Sequence, residues 1–204
     1  MTDKIILTER QQSMDQCLKA CVNLYGFVTP RQFLKVFNRF NKPKLLKKEL
    51  LENAEALEAY SGRFYAIYEN AIINTRVKQD VINSIAYMQS GKEYYTPSQE
   101  EVSLYSKTNY YPRTEYTEEI MQFLTKTAKA NVFAANNFIV ELVWLTVIDE
   151  PMQKRINLLN KYGITINNIR QLTVFTQLLN KLDNNTKKWA NCGYTAAELR
   201  QTAK

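Results

Sequence analysis

Arg31, Lys35, Arg39, Lys42, Lys44, Lys47 and Lys48 fall within 18 consecutive residues that contain no Asp or Glu. Guanidinium and ammonium groups gathered in this way attract phosphates or carboxylates through charge-assisted hydrogen bonds, so the chemistry they offer is binding. The chain holds 27 Lys and Arg against 20 Asp and Glu, a net charge of +7, and without these seven side chains it would be neutral. The whole charge excess is therefore local. If each of the seven met a phosphate, affinity would fall with salt along a log–log slope of about −0.9 per contact. A solvated helix face and a surface for an acidic protein patch have the same pattern, and the sequence leaves these readings open beside the first.

Catalytic chemistry is narrowed by what is missing. There is no histidine, which removes Ser-His and Cys-His nucleophilic pairs, His-ligated zinc and the nuclease types that depend on an imidazole. An enzyme would have to run on carboxylates, lysine or tyrosine. No G-x-x-x-x-G-K-[ST], G-x-G-x-x-G, G-x-S-x-G or paired-carboxylate nuclease pattern occurs, and five glycines leave little material for a phosphate-cradling loop.

Three further constellations have a chemical and a structural reading. Cys17 and Cys21 share a helix face, but zinc would need two more ligands, for which only the distant Cys192 and a carboxylate are candidates. A pair of small core residues is expected, with no metal and no cofactor. Asn137 and Glu141 share a face inside an apolar segment. A buried carboxylate there could be a catalytic acid, and an ion pair with Arg155 or Arg170 is the expected arrangement. Six tyrosines between Tyr94 and Tyr116 could stack on unpaired bases, yet such rings also pack loops onto a core with a polar tip left wet. Packing is expected for Tyr94, Tyr95 and Tyr105, and Trp189 is expected to anchor the last helix.

The elements that must position these groups are helices. With 204 residues, 45% of them apolar, and only five Gly and five Pro, the composition predicts a mainly α protein with a substantial core. Met14, Cys17, Leu18, Cys21, Val22 and Tyr25 make the stripe of a first helix over residues 8–25, stopped at Gly26. Thr29 caps a second helix with Pro30 at its first position, burying Phe33, Leu34, Val36, Phe37 and Phe40. A third is predicted to start near Pro43, to use Leu46, Leu50, Ala54 and Leu57, and to stop by Ser61-Gly62. Arg63–Tyr68 and Ala71–Asn74, flanking Glu69-Asn70, predict a β-hairpin.

Three helices and a hairpin follow the order of a winged helix-turn-helix domain. Residues 1–76 are therefore expected to form a winged-helix-like basic domain, packed with a helical domain, a C-terminal bundle, over residues 77–204. In that bundle Ser98 with Glu101 and Thr195 with Glu198 predict capping boxes. Helices are predicted near 115–131, 133–149, 152–162 and 166–183. The segment NFIVELVWLTVI is apolar nearly all round and predicts a buried central helix. Met1 is followed by Thr2 and Asp3 rather than by a basic and then an apolar run, and the longest apolar segment, Phe138–Ile148, is 11 residues interrupted by Glu141 and Thr146. A cytoplasmic protein without membrane contact is expected, its cysteines reduced.

The segments NLYGFVTPRQFLKVFN (Asn23 to Asn38), YYTPSQEEVSLYS (Tyr94 to Ser106) and NNTKKWANCGYTAAEL (Asn184 to Leu199) give the chain a resemblance that spans most of its length. It resembles a poorly characterised family of phage and low-GC Gram-positive bacterial proteins that share LYG, YY-x-P-S-x-E-E and N-T-x-x-W-x-x-x-G-x-T-P-x-E-L segments. Many of those proteins carry a cysteine-rich SEC-C zinc motif after the last segment. Here Ala196 stands where the family usually has proline, and no SEC-C cysteines occur up to Lys204, so no role of that module is carried over. The resemblance implies a phage-type or bacterial cytosolic setting and an N-terminal part similar to a winged helix.

Together these readings predict a non-enzymatic phage- or mobile-element-type binding protein. Its basic N-terminal surface would contact nucleic acid or a nucleoprotein complex, as a regulator or as an inhibitor of a host defence system. The alternative is a protein-interaction module that docks on an acidic patch of a bacterial host protein without touching nucleic acid. A carboxylate enzyme built around Glu141 is a third, weaker reading, and oligomeric state is not legible. Glu49, Glu52, Glu55 and Glu58 follow the cations on the third helix and would face the phosphate wall if that helix entered a groove. Backbone contact is therefore expected over base reading.

Overall fold

The computed structural model describes residues 5–107 and 112–202. It is mainly helical with a small three-stranded sheet. Two compact units divide the chain, Met1–Tyr110 with Trp189–Gly193, and Tyr111–Lys188 with Tyr194–Lys204. The expected boundary at residue 76 falls inside the first unit.

The first unit runs α1 (Glu9–Tyr25), β1 (Phe27–Val28), α2 (Pro30–Phe40), α3 (Lys47–Glu52), α4 (Ala54–Tyr60), β2 (Tyr65–Ile67), β3 (Ile72–Asn74), α5 (Gln79–Gln89) and α6 (Gln99–Tyr105). α1 starts where Thr8 and Gln11 satisfy each other's backbone N–H groups in a capping box, and stops at Gly26, whose φ of +69° suits glycine. α2 starts at the Thr29 cap with Pro30 in its first turn and buries Phe33, Val36 and Phe37. Leu34 and Phe40 are only half-buried. The strands pair antiparallel in the order β1-β3-β2, with Phe27 opposite Ile73 and Ala66 opposite Ile73 on the other side. The hairpin is where the sequence predicts it. β1 and α5 were not foreseen, since two residues are too few to show a period and α5 has no side-chain cap.

The predicted third helix is corrected in two ways. It begins at Lys47 rather than near Pro43, because the chain turns at Lys42-Pro43 and forms neither helix nor strand up to Leu46, with Leu45 buried and Leu46 68% exposed. The Leu46-Leu50 spacing suggested a helical phase, but Leu45 takes the core position because Asn38 exchanges two hydrogen bonds with its backbone: Leu45 N–H donates to Oδ1 at 2.6 Å and Nδ2 donates to the Leu45 carbonyl at 3.0 Å. The helix also breaks at Asn53, whose Nδ2 donates to the Glu49 carbonyl at 2.7 Å while its Oδ1 accepts from Gln11 Nε2 at 2.7 Å. A side chain that competes for backbone groups in this way ends one helix and lets the next restart.

Asn23 to Gly26, Gln89 to Glu101 and Trp189 to Gly193 meet in the first unit. Tyr25 donates through its hydroxyl to the Tyr95 carbonyl (2.7 Å), Gln89 Nε2 donates to the carbonyls of Tyr25 and Trp189 (2.7 and 2.8 Å), and Tyr95 N–H donates to the Cys192 carbonyl (3.0 Å). Trp189 is fully buried in a 3-10 turn, Trp189–Asn191, and its indole N–H donates to the Asn23 carbonyl at 2.8 Å. The predicted Ser98–Glu101 capping box forms, and the same carboxylate accepts from the Tyr95 hydroxyl at 2.7 Å. Tyr94, Tyr95 and Tyr105 pack half-buried against this core.

The second unit contains α7 (Glu115–Gln122), which continues as a π-helical turn Phe123–Thr127, then α8 (Val132–Val147), α9 (Met152–Lys161), α10 (Ile169–Asn185) and α11 (Ala196–Thr202). Its core gathers Ile120, Leu124, Phe138, Leu142, Leu158, Phe175 and Leu179, and the Thr195–Glu198 box opens α11. In α8 the segment predicted to be buried holds Phe138, Ile139, Leu142, Val143 and Thr146 buried and Leu145 and Val147 half-buried against the core, with Val140 at its margin 37% exposed, while Val132 and Phe133 in the first turn, outside that segment, are exposed. Among the described residues no helix is long and apolar enough to cross a membrane.

Candidate functional site

All seven cations, Arg31, Lys35, Arg39, Lys42, Lys44, Lys47 and Lys48, are exposed. Arg31, Lys35 and Arg39 stand on the face of α2 opposite Phe33 and Phe37, and a four-residue step along a helix separates them by about 6 Å each. Arg39 lays its guanidinium 5.5 Å from the Phe40 ring centre. Lys47 lies 4.0 Å from Glu69 in the hairpin turn and Lys48 lies 3.7 Å from Glu52, exposed pairs that hold each lysine only weakly. Among the described residues, Arg31, Lys35, Arg39, Lys42 and Lys44 pair with no carboxylate. An open groove between the start of α3 and the hairpin turn is lined by Lys47, Lys48, Leu51, Glu52 and Glu69.

The turn that bears Lys42 and Lys44 is held from two sides. Asn38 grips Leu45 from α2, as described. From α1, Arg10 donates to the Pro43 carbonyl at 2.9 Å and, more distantly, to the Lys44 carbonyl at 3.5 Å. The same guanidinium makes a two-pronged pair with Glu49, Nε to Oε1 at 2.5 Å and Nη2 to Oε2 at 3.0 Å, and lies 5.9 Å from the Phe37 ring centre. The Arg10 hydrogen bond lowers the Glu49 pKa against the opposing effect of burial. Arg10, Asn38 and Glu49 escaped sequence reasoning. Arg10 sits outside the basic cluster and Glu49 reads as a surface carboxylate, so only a contact map finds them.

The four glutamates of α3 and α4 are not equivalent. Glu49 is held by Arg10, and Glu58 accepts from the Ile67 N–H at 2.6 Å, turned toward the sheet. Glu52 faces Lys48, which leaves Glu55 as the exposed carboxylate without an ion pair among the described residues. The negative wall expected after Lys48 is thus reduced to Glu52 and Glu55.

Among the described residues the other chemical candidates are packed into the cores or paired. Cys17, Cys21 and Cys192 are buried thiols. Hydrogen bonding to Cys21 and burial push Cys17 well above its ordinary pKa, and burial pushes Cys192 up to about 11. Among the described residues no three His, Cys, Asp or Glu side chains gather as a metal set would. Glu141 is half-buried and paired, but not with Arg155 or Arg170 as expected. It accepts from Lys161 Nζ at 2.5 and 2.8 Å and from the Tyr162 hydroxyl at 2.6 Å. Arg155 is instead committed to Asp183 and Asp149. The pairing differs because the end of α9 brings Lys161 and Tyr162 to Glu141. Tyr116 packs against the second core, while Tyr110 and Tyr111 lie outside the described residues.

Comparison with protein-family models, with curated proteins and with solved structures returns no match.

Proposed function

We propose that the first unit is a winged-helix-like module and that the protein is a non-enzymatic binding protein which grips the phosphate backbone of nucleic acid, free or within a nucleoprotein complex, with Arg31, Lys35, Arg39, Lys42, Lys44, Lys47 and Lys48. The winged-helix reading is supported by the order α1-β1-α2-α3-α4-β2-β3, with the short helices α3 and α4 standing where a winged helix has one, and by the strand order β1-β3-β2. The carrying observation for the ligand is that all seven cations are exposed, with five of them free of carboxylates among the described residues. α3 is six residues long and breaks at Asn53, too short to follow a major groove, which favours backbone grip over base reading. The family resemblance would place this grip in gene regulation or in blocking a host defence complex.

Leu46, 68% exposed among these cations, favours a second reading, an acidic protein partner with an apolar anchor point. The deciding experiment measures binding to duplex DNA, single-stranded DNA and RNA across a salt series, for the protein and for an Arg31→Glu, Lys35→Glu, Arg39→Glu variant. Binding that falls steeply with salt and is lost in the variant supports the proposal. No binding at low salt, or binding indifferent to the three changes, overturns it and leaves the acidic-partner reading to be pursued by pull-down.

A further inference from the structure

Arg10 and Glu49 belong to the surface just described without being part of its row of free cations. We propose that they are positioning residues for it, an inference that rests on the binding function proposed above. Their pairing fixes the turn from Asn41 to Leu46, and with it the placement of Lys42 and Lys44 on the turn and of Lys47 and Lys48 at the start of α3.

The geometry argues for this role over a plain surface ion pair. A guanidinium has five N–H donors in a fixed fork, and Arg10 spends them on three sites at once: the Glu49 carboxylate, the Pro43 carbonyl and the Lys44 carbonyl. The two carbonyls belong to the segment that carries the cations, whereas Glu49 belongs to α3, whose first two residues are Lys47 and Lys48. One side chain from α1 thus ties the turn to the helix that follows it. Asn38 closes the same turn from α2 through Leu45. Because the turn forms neither helix nor strand between Asn41 and Leu46, side chains are what define its path. Cations already held near their binding geometry lose less conformational freedom when a ligand arrives, and that saving appears as affinity.

The test sets this role against simple electrostatics, because the two give opposite signs. Glu49→Gln removes a negative charge and raises the net charge by one from +7. Bulk charge predicts tighter binding to a DNA duplex. The positioning role predicts binding about tenfold weaker, the loss of a charged hydrogen-bond pair being of that order. Arg10→Lys keeps the charge and loses the fork, and it too is expected to weaken binding severalfold. Glu55→Gln, the exposed neighbour, reports the plain charge effect and is expected to tighten binding or leave it unchanged.

Hydrogen exchange of residues 41–46 without nucleic acid gives an independent reading and should rise in Glu49→Gln and Arg10→Lys but not in Glu55→Gln. The pair is partly exposed, with side-chain exposures of 29% and 35%, so the variants are expected to fold, which a circular-dichroism melt checks. A protein that binds no nucleic acid overturns the proposed function and this role with it. A protein that binds, with Glu49→Gln binding more tightly and the turn exchanging as before, overturns the positioning role alone.

Discussion

Gly26 lies against the indole of Trp189, so close that a Cβ added to it would stand 2.1 Å from Cε3 of the ring. The glycine ends α1 with a φ of +69°, so both its backbone conformation and its missing side chain are required. Gly26→Ala is expected to destabilise the protein by about 3 kcal/mol or more, through strain and displacement of the ring. Trp189→Phe should cost about 2–3 kcal/mol, through lost volume and an Asn23 carbonyl left without its donor. Urea unfolding followed by circular dichroism measures both.

Neutralising single members of the basic row should act through the salt dependence. Each of Lys35→Gln, Lys42→Gln and Lys44→Gln is expected to weaken nucleic-acid binding by a similar factor for every sequence tried and to flatten the log–log salt slope by about 0.9. A change that depends on base sequence would show direct readout at that position. Fluorescence anisotropy with two unrelated duplexes at several salt concentrations provides the measurement.

Acid sensitivity should centre on Asp183. Burial opposes its charge, but hydrogen bonds from Arg155 and Lys188, and their charges, prevail and hold its pKa below the ordinary value. Lys188 Nζ lies 2.9 Å from Asp183 and 2.7 Å from Asp149, and both cations are buried. A carboxylate with a depressed folded pKa contributes stability that is full above its unfolded value of about 4 and lost as pH falls through the folded one. Asp183→Asn is therefore expected to lose about 3 kcal/mol at neutral pH by leaving two buried cations under-compensated. Its stability should also fall less steeply below pH ~4 than that of the parent protein, as thermal melts across pH 2–7 would record.

Glu141 should reveal itself through its tyrosine. Burial first, then the hydrogen bond to Glu141 and the Glu141 charge, push Tyr162 up to about 12. Its neutral form therefore contributes stability that is full below the unfolded value of about 10 and is lost as pH rises through about 12. Glu141→Gln should bring the Tyr162 titration down part of the way toward 10, the effect of burial remaining, as ring-labelled NMR would follow. An unchanged titration would refute the hydrogen bond.

The three thiols should be silent in the native state. Cys17, Cys21 and Cys192 are buried, and Cys17 and Cys192 are pushed above their ordinary pKa, so little thiolate is available to react. A chromogenic thiol reagent should label none of them at pH 8 and all three in denaturant.

What the sequence determined by itself was local. Thr29, Ser98 and Thr195 marked helix starts because a cap bond spans only three residues, and Glu69-Asn70 marked a hairpin for the same reason. The basic row was legible because charge is a property of composition and α2 spacing is helical. What only the tertiary structure decided was everything that joins distant residues: Arg10 to Glu49, 39 positions apart; Asn23 to Trp189, 166 positions apart; and Glu141 to Lys161 rather than to Arg155. The phase of Leu45 and Leu46 belongs with these, since Asn38 rather than periodicity chose which leucine is buried. A long-range partner is selected by how elements pack, and neither propensity nor spacing records that choice.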